Sequence, residues 1–254
     1  TADALDMGVF PPAGNVLGAV DPGLAVGSVG DRRARPRPPV GLACIVPVEI
    51  LAAGDRRRQR RERMRIALAV RIVLLAPVGE REIGIDPDRV AITGESAGGN
   101  MAAGVAVAAM TDPSIKLKAQ ILNYPSVDMR PNVDTQSRRE LGLSGQFYPS
   151  VYQILQVNAA YCQAPGDREN PLCSQILADD VSTIAPAFVM TAGFDPLRDE
   201  GKLWCEKLQA AGVHAEYECL ETTIHGYLNF GKALDISTYA YEKNAEKFKE
   251  LLNG

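Results

Sequence analysis

The chain has 254 residues, 46% hydrophobic and 23% charged, with a formal net charge of −4. Those fractions belong to an ordinary globular protein and exclude a disordered or collagen-like chain. No apolar run approaches the ~20 residues of a membrane span, and five scattered cysteines without a C-x-x-C pair exclude a disulfide scaffold or a cysteine zinc site.

The N-terminus, Thr1 to Asp6, has neither a basic region nor an apolar one, so no signal peptide is expected. With the cysteine usage, this makes a reducing, cytoplasmic compartment the expectation. Met7 to Phe10 reads as a strand ended by Pro11-Pro12. Leu42 to Val48 reads as a buried strand, and Ile66 to Ala76 as a helix or a strand.

Residues 21–81 differ in character from the rest of the chain. All eight lysines lie at or after Lys116, eleven arginines crowd between Arg32 and Arg65, and of fifteen aromatics only Phe10 precedes position 115. A core-forming half with one aromatic is unusual, because aromatics carry much of core burial. Three readings of the arginine run stand side by side. A nucleic-acid patch is opposed by the interrupting Asp55 and Glu62, by the lack of interleaved aromatics and by the acidic chain, so no nucleic-acid partner is expected. A solvated helix face is the second. The third is a shifted reading frame over 21–81, which predicts that peptides from Arg32–Arg65 carry other residues.

From residue 85 the pattern is regular. Ile85 to Arg89 reads as a turn, Val90 to Thr93 as a buried strand, and Asn100 to Met110 as an alanine-rich helix. Ala119 to Tyr124 is a second buried strand stopped by Pro125, and Ser126 to Asp134 a polar loop. Residues 137–162 have mixed helical character. Pro186 to Gly193 is a third strand. Asp199 to Ala211 is a helix, spaced on Leu203, Trp204 and Leu208, with Gly212 placed to end it. Ala215 to Leu220 is a fourth strand. Tyr239 to Leu252 is a terminal amphipathic helix with Tyr241, Ala245, Phe248 and Leu252 on its apolar stripe. Strands alternating with helices predict an α/β protein, its mostly parallel sheet covered on both faces.

Gly94-Glu95-Ser96-Ala97-Gly98 fits G-x-S-x-G between a strand and a helix. The flanking glycines allow a sharp turn that lifts the Ser96 hydroxyl above the sheet edge. The Ala97 N–H and the helix dipole then favour developing negative charge beside it. A serine nucleophile needs a base, and the chain has two histidines. His225 follows the last strand, at the sheet end where such groups gather; His214 lies at the opposite end. Asp195 follows the third strand and can orient the imidazole. Asp199 and Glu200 compete for that role, but sit where the helix dipole alone favours acids. The order Ser96, Asp195, His225 is that of an α/β-hydrolase.

The sequence resembles the hormone-sensitive-lipase-like family of esterases from about Ile83 onward. The resemblance rests on Ile85-Asp86-Pro87-Asp88-Arg89-Val90, Gly94 to Asn100, Asp195 to Gly201, Ala211-Gly212-Val213 and His225-Gly226. It implies an α/β-hydrolase fold with a helical cap, nucleophile Ser96, acid Asp195 and base His225. The family's H-G-G-G is replaced here by Pro11-Pro12-Ala13-Gly14, which implies oxyanion donors at Ala13 and Gly14 beside Ala97. The family's D-Y-R-L-A-P-E is only echoed by Glu49 to Gly54.

The expectation is one α/β-hydrolase domain over 1–254 with a cap at about 128–162. Leu141, Leu143, Phe147, Tyr148, Tyr152 and Leu155 are available there to line a pocket. The expected function is hydrolysis of a small carboxylic ester with a short acyl chain, without metal or organic cofactor. The alternative is a non-catalytic, receptor-like binder of a small molecule, as the plant gibberellin receptors that resemble this family are. A homodimer could use the terminal helix and the last strand.

Overall fold

The computed structural model describes residues 40–45 and 85–253, the first segment and residues 85–87 by backbone alone. The expected strand at Met7–Phe10, the arginine run and the segment Ile66–Ala76 lie outside the described residues. Among the described residues, five strands form one parallel sheet in sequential order: β1 (Val40–Ile45), β2 (Ile85–Glu95), β3 (Ala119–Asn123), β4 (Ala187–Phe194) and β5 (Ala215–Ile224). The helices are α1 (Ala97–Ala109), α2 (Val151–Tyr161), α3 (Arg198–Ala210) and α4 (Asp235–Asn253). None is long and apolar enough to cross a membrane.

Strand alternation sorts side chains into two cores. Ile92, Leu122 and Val189 join residues of α1 and α3, including the fully buried Trp204 and Leu208. Ile121, Phe188 and Met190 face the other way and pack with Tyr227 and Ala240 of the C-terminal region. Burial on both faces explains why the strands read as continuous apolar runs. Helix α1 is buried nearly all round, so its alanines and glycines act by letting it approach the sheet closely.

Three expectations are corrected. Ile85 to Arg89 is not a free turn, because β2 begins at Ile85. The parallel register jumps from Val40↔Ile85 to Leu42↔Val90, so residues 86–89 bulge out of the pairing within one strand. Local turn chemistry is visible in sequence, but pairing across the sheet is not. In α3, Leu203 is exposed, and the buried face runs through Gly201, Trp204, Cys205 and Leu208.

In α4 the expected stripe holds at its C-terminal half, where Leu252 is buried and Phe248 packs against the core. Tyr241 and Ala245 are exposed instead, and the rest of the buried face carries Ser237, Ala240, Asn244 and Lys247. Its polar members are all engaged. Ser237 Oγ donates to Tyr227 O (2.6 Å), Asn244 Nδ2 donates to Asn123 Oδ1 (3.0 Å), and Lys247 Nζ donates to Glu216 Oε1 and Glu250 Oε2 (both 2.8 Å). A face buried through hydrogen bonds escapes a reading based on apolar periodicity.

The turn after α3 follows expectation. Gly212 takes φ 79°, a left-handed conformation that costs a glycine nothing. Helix α2 opens on a reciprocal cap: Gln153 N–H donates to Ser150 Oγ (3.3 Å), and Ser150 N–H to Gln153 Oε1 (2.9 Å).

Candidate active site

Ser96 sits on the one-residue turn between β2 and α1, with φ 53° and ψ −120°. A non-glycine residue held there carries strain on the order of 1–3 kcal/mol. Three contacts hold it. Ser96 N–H donates to Asn123 O (2.9 Å) and Asn100 N–H to Ser96 O (3.1 Å). Gly94 packs so closely beneath that a Cβ there would lie 2.1 Å from Gly98 O. Helix α1 begins at Ala97, whose N–H stands at the unpaired, positive end of that helix.

His225 follows β5 and Asp195 follows β4. His225 Nδ1 lies 2.7 Å from Asp195 Oδ2, and Nε2 lies 2.8 Å from Ser96 Oγ. An ionised carboxylate only accepts, so Nδ1 carries the proton, which leaves Nε2 to accept from the serine hydroxyl. Asp195 is completely buried, and its other oxygen accepts the Leu197 N–H (2.8 Å). The two bonds fix the carboxylate on both sides.

The competing groups are engaged elsewhere. His214 is exposed and faces Glu216 at 3.3 Å. Asp199 accepts from Ser137 N–H (2.7 Å) and Arg198 Nε (2.9 Å). Glu200 is buried and accepts from Arg138 Nε (2.7 Å) and Val127 N–H (3.3 Å). Burial pushes its carboxyl up to about 7, against the pull of the Arg138 guanidinium.

A raised carboxyl pKa means that the folded state holds its proton at a pH where the unfolded chain has released it. Glu200 therefore lowers stability progressively as pH rises from about 4.5 toward 7. The unfolding free energy of wild type minus that of Glu200→Gln is expected to fall across this window and level off above it. Urea titrations at pH 5, 6, 7 and 8 measure it, and a flat difference contradicts the assignment.

Tyr124 escapes a reading of the motifs. It takes φ 36° at the end of β3, is 1% exposed, and donates its phenol proton to Glu95 Oε2. Its ring meets His225 edge-on at 4.8 Å and Tyr227 at 4.8 Å. Burial and the Glu95 charge push its phenol well above the usual range. Its place at a strand C-terminus before Pro125 was the available signal. Tyr148 meets His225 from another side at 5.7 Å, and the neighbouring Phe147 stacks on Phe194 at 5.7 Å. Of the other side chains expected to line a pocket, Leu143 and Tyr152 are each 70% exposed. Ala13 and Gly14 lie outside the described residues.

Among the described residues, His214, Glu216 and Glu250 bring three ligand atoms within 4.8 Å of one another. Lys247 Nζ lies 2.7 Å from Glu216 and 2.8 Å from Glu250, so an ammonium already balances those carboxylates.

A family model described as alpha/beta hydrolase fold matches residues 63–229. The chain belongs to the α/β-hydrolase fold family. Within it, the relatives are those of the hormone-sensitive-lipase-like esterases. This α/β-hydrolase is 37% identical over 156 residues to the carboxylic ester hydrolase LipN of Mycobacterium tuberculosis, covering 58% of this chain and 40% of that one. It is 32% identical to the carboxylesterase NlhH of the same organism, covering 69% and 56%. Among solved structures, the thermostable carboxylesterase EstE1, cloned from a metagenomic library, matches with a TM-score of 0.67 and 34% identity. That match covers 72% of this chain and 63% of that one. The chain spans about half the length of the curated relatives it matches.

Proposed function

We propose that this α/β-hydrolase is a carboxylic ester hydrolase working through an acyl-enzyme. The observation that carries the reading is the unbroken chain of short contacts from Asp195 through His225 to Ser96, on a strained turn at a helix start. Ser96 Oγ attacks the ester carbonyl carbon while His225 Nε2 takes its proton. Asp195 holds the ring and stabilises the imidazolium. The Ala97 N–H donates to the developing oxyanion, and Ala13 and Gly14 are assigned as its further donors. His225 then returns the proton to the departing alcohol oxygen, and the acyl group stays on Ser96. Water attacks that acyl group with His225 again as base.

The same proposal treats the chain as one catalytic domain, with residues 128–162 as a cap. The cap is tied down near the acid. Ser137 Oγ donates to Pro196 O (2.9 Å), and Arg138 reaches Glu200. Turnover of p-nitrophenyl acetate, with stoichiometric labelling of Ser96 by a fluorophosphonate, tests the reading. Absence of both outcomes refutes it.

A modest cap predicts a short acyl pocket. Each buried methylene adds about 0.8 kcal/mol until the space is full. Across p-nitrophenyl esters, kcat/KM is expected to rise from acetate to butyrate or hexanoate and to fall by decanoate. A maximum at laurate or beyond, with activation at an oil–water interface, would mark a lipase instead.

A further inference from the structure

We infer that Tyr148 forms an aromatic wall for the alcohol part of the ester, and that the protein therefore prefers esters of aromatic alcohols. The inference rests on the hydrolase reading and assigns the leaving-group side of that same site. In acylation the bond from Ser96 Oγ to the acyl carbon forms and the bond from that carbon to the alcohol oxygen breaks. The proton on His225 Nε2 passes to the alcohol oxygen. The alcohol must therefore lie beside His225, within hydrogen-bond reach of Nε2.

Among the described residues, two aromatic rings flank that imidazole. Tyr124 is 1% exposed and closed in by Tyr227, so it has no open surface to offer. Tyr148 lies 5.7 Å from His225, inclined at 63°, and remains 58% exposed. Among the described residues, it is the flanking ring with free surface. A ring attached through one carbon to an oxygen at Nε2 is assigned to that free surface.

The wall is held in place from the next residue. Phe147 stacks on Phe194 at 5.7 Å, with planes 10° apart, and Phe194 directly precedes Asp195. Phe194 is 44% exposed and Ile224, directly before His225, is 45% exposed; the two are register partners across β4 and β5. The apolar surface thus continues from Tyr148 along the strand ends. These side chains lie on the same rim as the acid and the base. An aromatic alcohol would be bordered by rings there, and offset or edge-on ring pairs add binding beyond the area they cover.

The test compares benzyl acetate with cyclohexylmethyl acetate, which differ in the aromaticity of the alcohol. Wild type is expected to favour the benzyl ester by about threefold to tenfold in kcat/KM, the range such ring pairs contribute. Tyr148→Phe should keep the ratio and Tyr148→Leu should bring it close to one. A second pair, methyl phenylacetate and methyl cyclohexylacetate, moves the ring to the acyl side. Its ratio should not respond to Tyr148→Leu. Benzyl alcohol should also inhibit wild-type turnover of p-nitrophenyl acetate more strongly than cyclohexylmethanol, a measurement that needs no variant.

A wild-type ratio near one, with equal inhibition by the two alcohols, overturns the inference while the hydrolase reading stands. So does a ratio unchanged by Tyr148→Leu, or an effect confined to the acyl-side pair. No hydrolysis of any of these esters and no labelling of Ser96 overturns the hydrolase reading itself.

Discussion

Ser96→Ala is expected to lower kcat for p-nitrophenyl acetate by about 10⁴-fold or more, without change in the thermal unfolding midpoint. The alanine removes the hydroxyl that His225 Nε2 meets at 2.8 Å. His225→Ala should lose activity to a similar extent. The double variant should be no worse than either single one, because a nucleophile without its base is as inactive as no nucleophile. His214→Ala should stay within about twofold of wild type, since that ring faces solvent and Glu216. Steady-state kinetics with a burst measurement decide this. An active Ser96→Ala, or an inactive His214→Ala, would require a different assignment.

At pH 8, above the range where Glu200 holds a proton, Arg138→Met is expected to destabilise the fold by about 3–5 kcal/mol, the cost of leaving one member of a buried ion pair alone. Arg138 and Glu200 side chains are 3% and 2% exposed, and the guanidinium meets the carboxylate through Nε at 2.7 Å and Nη2 at 2.5 Å. Replacing Arg138 strands a carboxylate where water cannot reach it. The double change Arg138→Met with Glu200→Leu should recover most of the loss, because an apolar pair of similar volume needs no solvation. Urea unfolding followed by fluorescence of the buried Trp204 measures both. A loss below about 1 kcal/mol for the single variant would show that water enters the pair. The pair joins the loop after β3 to the helix after Asp195, so kcat is also expected to fall in the single variant and to recover in the double.

The reading of Ser96, His225 and Asp195 came from spacing and strand ends, and the structure brings the three side chains within hydrogen-bond distance. The reason is local. A glycine-flanked turn between a strand and a helix has few conformations, and each partner directly follows its strand. The polar part of the α4 face was not legible, because Ser237, Asn244 and Lys247 become core only through partners far along the chain. The bulge at 86–89 was read as a turn because its Asp-Pro-Asp chemistry is that of a turn. Only pairing with β1 makes it part of a strand.

By itself the sequence determined the α/β class, and it singled out Ser96 as the proposed nucleophile and His225 rather than His214 as its proposed base. These follow from periodicity, chain order and the rule that loops at strand C-termini carry the chemistry. Tertiary structure alone decided which rings stand against the imidazole. Tyr124 and Tyr148 are 101 and 77 positions from His225 in sequence, and no local pattern relates them to it. It also decided that Glu200 belongs to Arg138 rather than to the histidine. Both carboxylates, Asp195 and Glu200, are buried, and what separates their roles is the partner that the folded chain places beside each one.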